Sequence, residues 1–406
     1  MFFRRKKIIS TVLFFLILGV SCNSGAKKKQ VDAYSEKPYS VQMGETVLSQ
    51  YPDLWSIEEA DKPRWTYTFG LVSAAMVKLY DATGDLRYYN YAKSYIDTLL
   101  DENGQIKTYK KTDYNIDMIN SGKLLFIFYE DTKDFRYKTA LDTLHKQLEE
   151  HPQTEIGGYW HKKRYPHQMW LDGLYMGGPF IAQYAKVFNN SEDFNKVTRW
   201  YINMEKVARD PETGLLYHAW DESREQAWSD KETGCAPNFW GRGMGWYGMA
   251  LVDLLDYLPS EHPNYTEIVA IIQRMAVAIT KVQDKETGIW YQVLDQEVRA
   301  GNYLEGSVSS MFSYFLLKAV NKGYIDADTY KPVAFKAFEG TVKNLIKKTD
   351  DGTLVITPVC AVAGLGGDPY RDGSFDYYIN EKRRDNDPKA VGPFIMAALE
   401  YEKLRN

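Results

Sequence analysis

The chain has 406 residues, 44% apolar and 26% charged, which is ordinary globular usage and excludes a disordered chain, a collagen-like chain and a polytopic membrane protein. Lys and Arg number 50 against 54 Asp and Glu, a formal net charge of -4, so no basic excess is present to neutralise nucleic-acid phosphates. The aromatics are led by 31 Tyr, with 18 Phe and 10 Trp, and flat faces with polar edges suit cores and sugar rings alike.

The first element is an address label. Arg4, Arg5, Lys6 and Lys7 precede an apolar run from Ile8 to Val20. A membrane span needs about 20 apolar residues, so this shorter run reads as the core of a signal peptide over residues 1–21. It ends in Gly19-Val20-Ser21-Cys22, a small residue before Cys as at a bacterial lipoprotein cleavage site. Cys22 is therefore expected to carry a lipid, the only link to a membrane, with the protein in the periplasm or cell envelope. Residues 22–44 are polar and poor in pattern, a flexible tether. Residues 45–406 are expected to form a single catalytic domain, and the protein to be a monomer. In the mature chain Cys235 and Cys360 remain, as one disulfide or as two lone thiols.

From Trp65 onward the chain alternates between two kinds of helix. Trp65–Tyr80, Ile116–Tyr129, Trp170–Phe188, Phe239–Leu258, Glu305–Val320 and Pro388–Leu404 are apolar nearly all round. Leu86–Leu100, Phe135–Glu149, Phe194–Arg209, Tyr265–Gln283 and Thr329–Lys347 carry one apolar face. Short acidic or Thr-bearing turns between partners can cap the following helix, and Gly-bearing loops follow the amphipathic helices. All-round apolar helices are buried and one-faced helices lie outside. Six inner helices alternating with outer ones describe an all-α fold, an (α/α)6 barrel of six helical hairpins. The sixth outer helix is expected around Val41–Ile57, and the long loops should build a cleft at one rim. An open stack of hairpins is the structural rival, but six pairs close a ring.

Three stretches place polar residues inside apolar helix starts. In Met169-Trp170-Leu171-Asp172-Gly173-Leu174-Tyr175-Met176, Asp172 sits among Trp170, Leu171 and Leu174. Desolvation there is expected to raise its pKa and the helix N-terminus to lower it; a raised pKa suits a general acid, and a bare N-cap is the alternative. In Tyr114-Asn115-Ile116-Asp117, the carboxylate of Asp117 opens the preceding inner helix and should reach the same rim, where two carboxylates can divide the charged and neutral roles. Two independent caps would explain the pair equally well. The third stretch holds His218 and Trp240-Gly241-Arg242-Gly243-Met244-Gly245-Trp246. Three helix glycines cost up to about 1 kcal/mol each and point to close approach of backbone or ligand. Arg242 can grip a carboxylate with two N–H groups, or pair with a structural Asp, and Trp240 and Trp246 can stack on a ring. Nucleotide loops, serine-nucleophile elbows and zinc spacings are absent from the sequence, and no metal or cofactor is expected.

Together these stretches resemble glycoside hydrolase family 105, the unsaturated rhamnogalacturonyl hydrolases. The resemblance is carried by the run Met169 to Met176 with Pro179-Phe180, by Trp240-Gly241-Arg242-Gly243 with Gly245-Trp246, and by Asn115-Ile116-Asp117 and His218. Asp372-Gly373-Ser374-Phe375-Asp376-Tyr377-Tyr378 and the segment from Asn386 to Phe394 are similar as well. It implies a hydrolase that removes a 4,5-unsaturated galacturonic acid from the end of lyase-derived rhamnogalacturonan oligosaccharides. Unsaturated ends of ulvan or glycosaminoglycan fragments, or non-catalytic glycan binding, remain alternatives. By the same resemblance Asp172 is the general acid and base, and Asp117 holds sugar hydroxyls or tunes Asp172. His218 and Arg242 bind polar groups, Trp170, Trp240 and Trp246 frame the ring, and His161 and Tyr67 join them from the same rim.

Overall fold

A helix that is apolar on every side is stable only when other helices surround it, and this sequence supplies such surroundings. The computed structural model describes residues 37–405. The signal peptide expected over 1–21, the lipid-bearing Cys22 and most of the expected tether lie outside the described residues. The helices are α1 (Tyr39–Gln50), α2 (Tyr67–Thr83), α3 (Leu86–Leu99), α4 (Lys123–Thr132), α5 (Phe135–Glu150), α6 (Leu171–Phe188) and α7 (Ser191–Ala208). They continue as α8 (Gly241–Leu254), α9 (Tyr265–Lys281), α10 (Gly306–Asn321), α11 (Ala327–Leu345), α12 (Phe375–Asn380) and α13 (Pro388–Arg405). A 3-10 segment, Ile116–Gly122, leads directly into α4.

Helices α2, α4 with its 3-10 segment, α6, α8, α10 and α13 pack neighbour to neighbour, and α13 closes the ring on α2. Every residue of α8 and every residue of α10 from Gly306 to Val320 is buried. The outer helices bury one face only. In α9 that face is Ile268, Ile271, Ile272, Met275 and Ile279, at helical spacing. Each such side chain contributes about 1.5–3 kcal/mol on burial. Asp85, Asp134 and Asp326 cap the helices that follow them by accepting the N–H groups of Arg87, Arg136 and Thr329. The fold is the expected (α/α)6 barrel.

Two boundaries differ from the sequence reading. The sixth outer helix, α1, begins at Tyr39, inside the stretch expected as tether. It is fixed by distant partners: Met43 and Val47 are fully buried, and the Ser40 hydroxyl donates to Glu402 at 2.7 Å. The second inner element starts as a 3-10 segment because the Asn115 side chain accepts the Asp117 N–H and tightens the first turn. Cys235 and Cys360 are both buried and free.

Three short antiparallel pairs decorate the barrel: β1 (Gln168–Trp170) with β2 (Ala219–Asp221), β3 (Ile346–Lys348) with β4 (Leu354–Ile356), and β5 (Val359–Cys360) with β6 (Arg383–Arg384). The first pair positions the site. Trp170 lies opposite Ala219, and the Leu171 N–H bonds the His218 carbonyl at 3.1 Å. That register sets Asp172, one residue into α6, beside His218, one residue before β2.

Candidate active site

The inner helices begin at one rim, and their first residues bring together chemistry that is scattered in the sequence. Asp172 lies in the first turn of α6, whose N-cap is Trp170 with no side-chain cap, so Asp172 is not a helix cap. One of its oxygens, Oδ2, lies 3.2 Å from His218 Nε2. His218 is fully buried, and its Nδ1 lies 2.7 Å from the Tyr378 hydroxyl. An ionised carboxylate only accepts, so Nε2 then carries the proton and Nδ1 accepts from Tyr378. Burial holds the Tyr378 phenol well above its ordinary pKa, with the charges of Tyr377 and Asp172 adding to the effect, so it remains a donor. Asp172 itself is partly exposed, 14% by side chain, and its Oδ1 has no protein partner among the described residues.

Asp117 is a carboxylate of a different kind. It is buried, its Oδ2 lies 2.6 Å from Lys162 Nζ, and its Oδ1 lies 3.5 Å from His161 Nε2. Burial would raise its pKa, but the Lys162 ammonium, with its hydrogen bond and the His161 ring beside it, outweighs that and holds it below the ordinary value. The mutual tuning of two carboxylates expected from the sequence is therefore replaced by a cation: Lys162 sets the charge of Asp117. His161 is neutral, because burial pushes it down to about 4 against the pull of Asp117. Its ring stacks on Trp170 at 4.4 Å, and its Nδ1 is buried without a partner.

Arg242 is fully buried at the start of α8. Its Nη1 donates to the Cys360 carbonyl at 2.6 Å and to Ser307 Oγ at 3.3 Å. No carboxylate pairs with it among the described residues, so the structural-Asp alternative falls. Burial penalises its charge, but surrounding anionic groups, Glu305 and Asp387 among them, raise its pKa above the ordinary value. Its Nε and Nη2, one complete edge of the guanidinium fork, are buried and unpartnered. Buried polar atoms without partners are rare in folded proteins, and here Trp240 Nε1 and Tyr303 Oη join those of Arg242 and His161.

The indoles differ from the open platforms the sequence implied. Trp240 stacks on Tyr378 at 5.8 Å and has the Arg242 guanidinium 5.0 Å from its ring. Trp246 stacks on Tyr175 at 4.9 Å, and Tyr67 meets it edge-on at 6.2 Å. Trp170 lies parallel to both His161 and Tyr165. All three indoles are at most 5% exposed, so they form a rigid dry wall behind the cleft. Tyr67 keeps part of its surface accessible, and the protein around it raises its phenol well above the ordinary pKa, with Asp117 adding to the burial and Arg242 opposing it. The glycines of α8 also find their reason in protein neighbours. A Cβ at Gly243 would lie 3.2 Å from the His218 ring, and one at Gly245 would lie 2.8 Å from Met311 Sδ. They let α8 approach His218 and α10.

Of the residues singled out in the sequence, Asp172, His218, Trp170, Trp240, Arg242, His161 and Asp117 form one chain of contacts, and Tyr67 meets Trp246. Sequence reasoning missed Lys162 and Ser307 and gave Tyr378 no role. Lys162 follows His161 directly, and Tyr378 lies in a stretch that had been marked by resemblance alone.

Known proteins resemble this chain in sequence and fold. The model of Glycosyl Hydrolase Family 88 matches residues 39–405. A solved Clostridium acetobutylicum glycoside hydrolase from family 105 is 43% identical, covers 90% of this chain and 100% of its own, and superposes with a TM-score of 0.87. An Agrobacterium fabrum protein is 35% identical over 230 residues, 55% of this chain and 97% of that protein. The unsaturated rhamnogalacturonyl hydrolase YesR of Bacillus subtilis is 26% identical over 261 residues, 63% of this chain and 71% of its own. The chain thus belongs to glycosyl hydrolase family 88, on its family 105 side, and is a glycoside hydrolase.

Proposed function

We propose that this enzyme removes a 4,5-unsaturated galacturonic acid from the non-reducing end of lyase-derived rhamnogalacturonan oligosaccharides. The observation that carries the reading is the unpaired Nε and Nη2 edge of buried Arg242 at the same rim as Asp172. Such an edge matches a carboxylate in two-pronged geometry, and an unsaturated uronic acid presents one. The likeness to a Bacillus subtilis enzyme named for unsaturated rhamnogalacturonyl substrates supports the choice of sugar.

The sugar's double bond is an enol ether. Asp172, protonated, gives its proton to C4, and positive charge develops at C5 and the ring oxygen. A water molecule adds to C5 while the Asp172 carboxylate takes a proton from it, which restores the acid. The resulting hemiketal opens to a C5 ketone, C1 becomes a hemiacetal, and its collapse releases the leaving sugar. No water oxygen enters at C1, unlike ordinary glycoside hydrolysis. His218 holds Oδ2 so that Oδ1 faces the reacting carbons. Asp117, fixed as an anion by Lys162, accepts from the sugar hydroxyls. Trp170, Trp240 and Trp246 exclude water from the ring. The envelope location and the lipid at Cys22 belong to the same proposal: such an enzyme meets fragments that enter the cell envelope.

The test is loss of ultraviolet absorbance on three unsaturated disaccharides, from rhamnogalacturonan, chondroitin and ulvan. Decay on the first at the highest kcat/KM is the expected result. A preference for either of the others reassigns the leaving sugar, and silence on all three with a folded protein removes this substrate assignment.

A further inference from the structure

Beside the carboxylate site the rim opens into a groove of about 590 Å³, within the usual range of ligand sites, about 300–1,000 Å³. Lys110, Lys162, Lys163 and Arg164 line it, with Asn115 and the single acid Asp113. Lys110 pairs with Asp113 at 3.6 Å and Lys162 with Asp117 at 2.6 Å, which leaves Lys163 and Arg164 as the groove's cations without a carboxylate partner among the described residues.

The groove is continuous with the catalytic rim. Lys162 lines it and also contacts Asp117, and Asn115, which caps the Asp117 segment, lines it too. Lys163 and Arg164 are held by backbone and aromatic rings. The Tyr165 N–H bonds the Lys162 carbonyl at 2.8 Å, and the Lys163 N–H bonds the Tyr114 carbonyl at 3.1 Å, which pins the 162–165 turn to the start of the 3-10 segment. Lys163 Nζ stands 5.6 Å from the Tyr114 ring and the Arg164 guanidinium 5.0 Å from the Tyr165 ring. Both side chains are exposed, and no carboxylate lies within ion-pair distance of either among the described residues. Cations seated on aromatic faces keep their charge for a ligand and are already oriented.

We infer that this groove binds an anionic sugar of the leaving oligosaccharide, beyond the bond that is cut, through a carboxylate or sulfate on that sugar. The inference rests on the proposed function for its direction, since a chain held at Asp117 and Asp172 and continuing outward past Lys162 enters the groove. It makes the enzyme selective for acidic oligosaccharides longer than an unsaturated disaccharide, or for fragments whose leaving sugar is sulfated.

The test compares the wild type with the double variant Lys163→Gln, Arg164→Gln. Three unsaturated substrates serve as probes: a neutral-leaving-group disaccharide, a tetrasaccharide carrying a second uronate, and a disaccharide sulfated on the leaving sugar. Binding of each is also measured by calorimetry in an Asp172→Asn background. Two rim cations at about 0.7 kcal/mol each predict about a tenfold loss of affinity and of kcat/KM on an anionic probe, shrinking in high salt, with the neutral disaccharide unchanged. Loss confined to the tetrasaccharide identifies a uronate, and loss confined to the sulfated probe identifies a sulfate ester. An equal loss on all three, or no loss on either anionic probe, overturns the inference. Absence of turnover on every substrate counts against the proposed function alone, and the calorimetric comparison still decides the groove.

Discussion

Two carboxylates stand at one rim of this barrel, and their surroundings divide the labour. Asp172 is partly open and held by His218, itself bonded to Tyr378, which leaves one oxygen free. Asp117 is buried and locked by a cation, Lys162, with a neutral His161 beside it. A group that must give and regain a proton needs solvent access and movable protonation. A group that must hold a hydroxyl needs a fixed charge. The same residue type supplies both because the partner, not the carboxylate, decides the state.

The largest break in that contrast is Asp172→Asn. It keeps the shape, removes the proton donor and is expected to lower kcat by a factor on the order of 10³. Because Asp172 is partly exposed and caps no helix, the melting temperature should stay within a few degrees. Next comes Lys162→Met, which leaves Asp117 buried without its cation. Activity is expected to fall by about 10² as the segment shifts, and stability at neutral pH by about 3 kcal/mol. Asp117 has a lowered pKa when folded, so its ionised form stabilises the fold above the ordinary carboxylate pKa of about 3.9, and that stability is lost as pH falls through the lowered value. Denaturant titrations should therefore show wild type and Lys162→Met converging below about pH 4.

Tyr378→Phe acts at one remove. It deletes the hydrogen bond to His218 Nδ1, frees the ring to change tautomer, and is expected to cost about tenfold in kcat with KM nearly unchanged and a displaced pH profile. The smallest effect on rate is expected for His161→Gln. Wild-type His161 is pushed down to about 4, so protonation favours the unfolded chain and stability falls with pH from the ordinary value of about 6.5 toward it. Removing the imidazole should flatten that acid limb while reducing turnover only a few-fold.

The barrel was legible because burial writes itself into composition. Helices such as α8 and α10, apolar on every side, announce an inner ring, and the one-sided α9 announces an outer one. What composition does not carry is contact at a distance. The start of α1 at Tyr39 depends on Glu402, and the role of Tyr378 depends on a loop returning to His218 from far along the chain. Lys162 drew no attention in the sequence because nothing local reveals that its amine turns in to Asp117. The α8 glycines pointed to close approach of backbone or ligand, and the fold places the His218 ring and Met311 at that distance. Spacing reveals that something must fit, and only the fold reveals what.

The most direct test follows two signals at once during digestion of unsaturated galacturonyl-rhamnose: the ultraviolet absorbance of the conjugated acid and the free rhamnose released. Hydration of the double bond predicts that the two change one for one in the wild type and that neither changes with Asp172→Asn. Rhamnose release at constant absorbance, or full turnover by the Asn variant, would contradict the account.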